Sequence, residues 1–142
     1  MKKIPIALPF LGKEEAKEAY DTILSGWVTQ GPKVAEFETK FAEYVGSEYA
    51  IAVSNCTTAL HLSMIVSGIK EGDEVICPSM SYIATANSIR YVNATPIFAE
   101  VNNDYNLSLK DTKAKITSKT KAVLLVHQMG MPANIKKFQK LC

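Results

Sequence analysis

Between Lys13 and Leu24 the residues Ala16, Ala19, Tyr20, Ile23 and Leu24 recur at helical spacing, with Glu14, Glu15, Lys17 and Glu18 between them. One apolar stripe and one charged face predict an amphipathic helix, stopped near Ser25-Gly26. Pro32 then opens a second helix as a first-turn proline. Val34, Phe37, Phe41, Tyr44 and Val45 share one of its faces up to Gly46, a natural C-terminal glycine. From Tyr49 the pattern changes to short apolar runs alternating with helical stretches. The runs are Tyr49–Val53, Glu74–Cys77, Thr95–Val101 and Lys121–Val126; the stretches start near Thr57, Ser81 and Ser108. Ser108 and Asp111 form a capping pair. A run such as Ala122-Val123-Leu124-Leu125-Val126, with no polar alternation, is typical of a parallel strand covered on both faces. The predicted architecture is α/β.

A last helix is expected from Ala133-Asn134 through Ile135, Phe138 and Leu141 to Cys142. A fifth strand would follow it, so the chain is expected to be the front part of a larger protein. The alternative is a small four-stranded domain closed by a terminal helix. No repeat, low-complexity segment or linker marks an internal boundary. The chain is divided here into residues 1–48, the N-terminal helices and the loop between them, and residues 49–142, the α/β portion.

Composition adds exclusions. A chain of 142 residues with 47% hydrophobic and 21% charged residues has the make-up of a globular domain rather than a disordered or membrane-spanning one. The net charge of +2 is small, and the lysines are scattered apart from Lys136-Lys137, so no basic stripe argues for nucleic acid. Lys2 and Lys3 start the chain like a signal peptide, but Pro5, Pro9 and Gly12 break any apolar core, and no export is expected. Cys56, Cys77 and Cys142 are odd in number and lack CxxC spacing. That disfavours a zinc site or a disulfide framework and suits a reducing cytoplasm.

In open α/β sheets ligands collect at the carboxyl ends of the strands. The residues there are Ser54-Asn55-Cys56-Thr57-Thr58, Pro78-Ser79-Met80-Ser81-Tyr82 and His127-Gln128-Met129-Gly130. The first of these places free N–H groups and the Thr57 and Thr58 hydroxyls at a helix N-terminus, which is a phosphate seat. Taken alone it reads as an ordinary N-cap. Tyr82 opens the next helix, where its ring could stack on a planar cofactor or serve as a rim residue. His127 ends the most apolar run, as an acid, a base, a hydrogen-bond donor to a ligand or a satisfied strand-end histidine. Trp27, the only tryptophan, stands in the loop Gly26–Pro32, suited to binding or to latching that loop down.

Four segments together resemble a known family. They are Ser25-Gly26-Trp27-Val28-Thr29-Gln30-Gly31-Pro32 with Val34–Glu38, Ser54–Leu62, Pro78–Asn87 and Val126–Gly130. In this order and spacing they are similar to the DegT/DnrJ/EryC1/StrS family over essentially the whole chain. The resemblance implies the aspartate-aminotransferase fold (fold type I), pyridoxal 5'-phosphate as cofactor, and transfer of an amino group, usually from glutamate, to the keto group of a nucleotide-linked sugar. It implies that Cys56, Thr57 and Thr58 hold the cofactor phosphate and that Tyr82 stacks on its ring. It further implies that Trp27, Thr29 and Gln30 line the sugar-nucleotide pocket, with His127 as another substrate-binding residue. The family often has glycine where Cys56 stands. Its Schiff-base lysine and the acid that holds the pyridine nitrogen protonated are expected beyond Cys142, and no lysine present takes that role.

The family resemblance also implies a homodimer with active sites built from both subunits, and a first strand set apart from the next three. A family variant dehydrates the sugar with the same cofactor, a histidine replacing the lysine. The non-enzymatic alternative is a truncated or split-gene half that binds a ligand or partner without turnover. A phosphate-binding α/β domain of other descent would require the motif order to be coincidence.

Overall fold

The computed structural model describes residues 4, 5 and 7–141. The chain divides into two compact units, Met1–Ala52 and Val53–Cys142.

In the first unit, α1 (Lys13–Leu24) begins at Gly12, whose N–H donates to the Glu15 carboxylate at 2.6 Å. α2 (Pro32–Val45) carries Pro32 in its first turn and ends at Gly46, in the left-handed conformation at φ 70°. There Ser47 N–H reaches back to the Ala42 carbonyl, which closes the helix as the sequence predicts. Lys33 bonds Glu18 across the two helices. The run Tyr49–Val53 is not a strand. Its Ala52 N–H donates to Glu38 Oε1 at 2.8 Å, and the Tyr49 carbonyl accepts from the Ser47 hydroxyl. A strand exists only through a neighbour, and among the described residues none pairs with this run.

The second unit contains α3 (Cys56–Val66), β1 (Glu74–Pro78), α4 (Ala84–Tyr91), β2 (Thr95–Ala99), α5 (Leu109–Ala114), β3 (Thr120–Val123) and α6 (Ile135–Gln139). Its sheet has the order β2-β1-β3, all parallel, with Ile76 opposite Ile97 on one side and Val123 on the other. Val75, Ile76 and Cys77 of the central strand are fully buried. Successive side chains enter opposite faces. Val75 and Cys77 pack with Met64, Ile69 and Ile89 from α3, α4 and their connections. Ile76 packs with Ala99, Leu107 and Phe138 on the other side. This double burial is why the strand reads as an unbroken apolar run.

Two strands are shorter than predicted. β2 ends at Ala99 because Glu100 is diverted: its N–H goes to Asp111 Oδ2 at 2.7 Å and its carbonyl accepts from Ser108 N–H. Val101 keeps only an isolated antiparallel bridge to Leu107. β3 ends at Val123, with one further ladder bond from Leu124 N–H to the Ile76 carbonyl. The Ser108 hydroxyl caps α5 by accepting from Asp111 N–H, but the Asp111 carboxylate serves Glu100 and Lys115 instead of returning the bond. α6 starts at Ile135 behind an Asn134 cap; its predicted end, Cys142, lies outside the described residues. Among the described residues no helix is long and apolar enough to cross a membrane.

Candidate functional site

Parallel strands put all their carboxyl ends on one edge of the sheet, so the loops after β1 and β3 emerge together. A groove of about 720 Å³ joins them, lined by Met80 after β1, Gln128–Met131 after β3 and Asn103–Tyr105 after β2. Tyr82 and His127 are not among the residues lining it. Tyr82 is 77% exposed just ahead of α4, with its carbonyl accepting from Thr85 N–H. Beside it the Ser81 and Thr85 hydroxyls are 2.8 Å apart.

At the start of α3 the Asn55 side chain accepts from Thr58 N–H at 2.9 Å. The Thr58 hydroxyl is built into the same cap, 3.2 Å from both Asn55 Oδ1 and Ser54 Oγ. The N–H groups of Cys56 and Thr57 have no acceptor within the helix, and the Thr57 hydroxyl takes no part in the cap. Two aligned N–H donors and a hydroxyl at the positive end of an 11-residue helix fit a phosphate group. Cys56 is an exposed, helical first residue, so its side chain is accommodated at this turn. Thr58 differs from the expectation in one respect: its N–H already belongs to Asn55. Sequence reading passed over Asn55 as a site residue, although an Asn three positions before Thr58 is the ordinary capping signal.

His127, exposed after β3, accepts from Ala133 N–H at Nδ1, 2.9 Å away. That bond places the proton of the neutral imidazole on Nε2, leaving it as a donor. The turn that follows is pinned by a second residue that the sequence did not mark, Asn106, only 3% exposed. Its Oδ1 accepts from Gln128 N–H and its Nδ2 donates to the Met131 carbonyl, each at 3.2 Å. Cys77, by contrast, is sealed in β1, and burial pushes its thiol up to about 11.

The other predicted residues belong to the first unit. Trp27 and Thr29 line a cavity of about 480 Å³ together with Glu18, Lys33 and Val34. Gln30 is not part of that lining; its carbonyl accepts from the Trp27 indole at 3.0 Å.

The model of the DegT/DnrJ/EryC1/StrS aminotransferase family matches residues 9–142. The chain belongs to that family. GDP-perosamine synthase of Escherichia coli O157:H7 is 43% identical over 143 residues, covering 99% of this chain and 39% of that protein. The structure of an aminotransferase from Psychrobacter cryohalolentis superposes with a TM-score of 0.91 at 34% identity, over 96% of this chain and 36% of that one. The GDP-4-keto-6-deoxy-D-mannose-3-dehydratase of E. coli, solved with bound hydrated PLP, gives 0.90 at 31% identity, over 99% and 38%. The chain therefore spans well under half the length of these DegT/DnrJ/EryC1/StrS relatives. Its fold is the fold type I, aspartate-aminotransferase-like α/β fold, of which these residues form a part.

Proposed function

We propose that the full-length protein is a pyridoxal-phosphate-dependent aminotransferase that converts a nucleotide-linked keto sugar to an amino sugar, with glutamate as donor. The observation that carries this reading is the start of α3. In a chain of this family, Asn55 satisfies Thr58 N–H and leaves the Cys56 and Thr57 N–H groups free for an anion. Bound there, the cofactor supplies an electron sink for exchange of the amino group. The chain's own residues bind and orient. Cys56, Thr57 and the Asn55–Thr58 cap hold the phosphate, and Tyr82 stacks against the planar ring. His127 donates from Nε2 to the sugar, held in that tautomer by Ala133 N–H. Trp27, Thr29 and Gln30 line the sugar-nucleotide pocket. The protein acts in the cytoplasm as a homodimer, and the 142 residues alone bind without turnover, since the reactive lysine is expected outside them.

The test is to incubate the full-length protein with pyridoxal phosphate, L-glutamate and a set of GDP-, UDP- and dTDP-linked 4-keto sugars, and to follow products by mass spectrometry. An amino sugar with an equal amount of 2-oxoglutarate is expected. Absence of both across the set would sink the reading. The likeness to the PLP-bound dehydratase favours a second reading within the family. A keto sugar that has lost a hydroxyl oxygen without gaining nitrogen would select it.

A further inference from the structure

We propose that Asn106 is a positioning residue, which holds the Gln128–Met131 turn in the shape that presents His127 and Gln128 to the sugar; this rests on the aminotransferase reading above. The turn is unusual in its backbone. Met129 sits at φ 51°, ψ 32° and Gly130 at φ 80°, two left-handed residues in succession, and a methionine takes that conformation only where its surroundings impose it. Its own side chain imposes nothing, since Met129 is 91% exposed.

The turn closes on itself through Gly130 N–H to the His127 carbonyl at 3.2 Å and Met131 N–H to the Gln128 carbonyl at 2.9 Å, and from outside it is gripped by one buried carboxamide. Asn106 accepts from Gln128 N–H and donates to the Met131 carbonyl, so a single rigid planar group grips the turn at both ends across 22 and 25 positions of sequence. Its second amide hydrogen faces Asp104 Oδ2 at 3.4 Å, and its own N–H donates to Asp104 Oδ1 at 3.1 Å, which fix the carboxamide from behind. The third anchor is the bond from Ala133 N–H to His127 Nδ1. His127 thus lies between two fixed points, and Gln128 is itself one of the gripped residues. The same turn forms one wall of the groove that Met80 and Tyr105 complete at the carboxyl edge of the sheet. Where such a turn contacts the substrate equally in the ground and transition states, loosening it raises KM and leaves kcat unchanged.

The experiment compares the full-length wild type with Asn106→Ala and Gly130→Ala. The second variant disturbs the same turn by a separate route, because alanine is strained at φ 80° while its Cβ meets open space. Two readouts are taken: amide hydrogen exchange of the peptide spanning Gln128–Ala133, and steady-state kinetics with GDP-4-keto-6-deoxymannose as the probe. Expected in both variants are faster exchange confined to that peptide and a KM about tenfold higher, with kcat nearly unchanged. If Asn106→Ala does not fold, Asn106→Asp decides the matter, since it keeps an acceptor for Gln128 N–H and sets an oxygen against the Met131 carbonyl. Unchanged exchange in the variants, or kcat falling while KM stays constant, would overturn the positioning role. Failure of the aminotransferase reading shows separately, as absence of turnover in the wild type, and the exchange measurement then still decides whether Asn106 holds the turn.

Discussion

Trp27 donates its indole N–H to the Gln30 carbonyl at 3.0 Å, and its ring occupies the space above Gly31, where an added Cβ would come within 1.7 Å of Nε1. Gly31 itself has an extended backbone that any residue can adopt. What its missing side chain provides is room for the indole. Gly31→Ala is therefore expected to expel the ring and break its hydrogen bond at a cost of about 1 kcal/mol. Trp27 is the only tryptophan of the 142 residues, so the change is read as a red shift of its emission. An unshifted spectrum would mean that the ring is not seated on Gly31.

A cap and a phosphate seat can be told apart at Asn55. Asn55→Ala should destabilise α3 by about 1 kcal/mol through the loss of the Thr58 bond. Asn55→Asp keeps the acceptor and adds negative charge at the positive helix end, so its melting temperature is expected to match or exceed that of the wild type. An anion seated on the Cys56 and Thr57 N–H groups is repelled by that same charge. The expected result in the full-length protein is unchanged or raised thermal stability with weaker pyridoxal phosphate binding, followed by absorbance titration. Equal affinity in Asn55→Asp and wild type would leave α3 with an ordinary cap.

Asp111 joins two elements, bonding Lys115 Nζ at 2.7 Å and Glu100 N–H at 2.7 Å. The Lys115 ammonium first, and then the Glu100 N–H, hold its carboxyl below the usual carboxylate range. A carboxyl with a depressed native pKa contributes stability above its unfolded pKa and loses it as pH falls through the native value. Asp111→Asn should accordingly be less stable than wild type at pH 7, with the gap closing below about pH 4. Urea unfolding at a series of pH values checks this, and a gap that persists into acid would assign the effect to packing.

The two described cysteines should differ sharply in reactivity. Cys56 is exposed at the start of α3, whereas Cys77 is buried in β1 with its thiol raised to about 11. Only the thiolate attacks an alkylating agent, and at pH 8 about one thousandth of Cys77 is in that form even before access is considered. Iodoacetamide followed by peptide mapping is expected to label Cys56 in the native protein and Cys77 only after unfolding. Early labelling of Cys77 would mean that the β1 core opens readily.

Much of this was legible in the sequence, because many of its signals are local. Pro32 in the first turn of α2, Gly46 at its end and Ser108 as the cap of α5 each act within a few residues, and each appears as read. The run Tyr49–Val53 shows the limit. It has the composition of a strand, but pairing is a property of two segments, and its Ala52 N–H is taken by Glu38. The early end of β2 is similar, since the diversion of Glu100 depends on Asp111, eleven residues away. At the candidate site the polar strand ends could be named in advance. Asn106 could not: it stands among Asn102, Asn103 and Asp104 with nothing in its neighbourhood to set it apart, and its two partners in the turn are more than twenty residues distant.

The strand order β2-β1-β3 also carries a consequence for biosynthesis. β1 is made first, yet both of its neighbours come later, and its pairing with Thr120 waits until α4, β2 and α5 have been translated. At ribosomal speeds that interval lasts on the order of seconds. During it the fully buried segment of the sheet, Val75-Ile76-Cys77, has at least one bare edge open to other nascent chains. The charged residues before it, Glu71, Asp73 and Glu74, stand where a gatekeeper against such misassociation is needed.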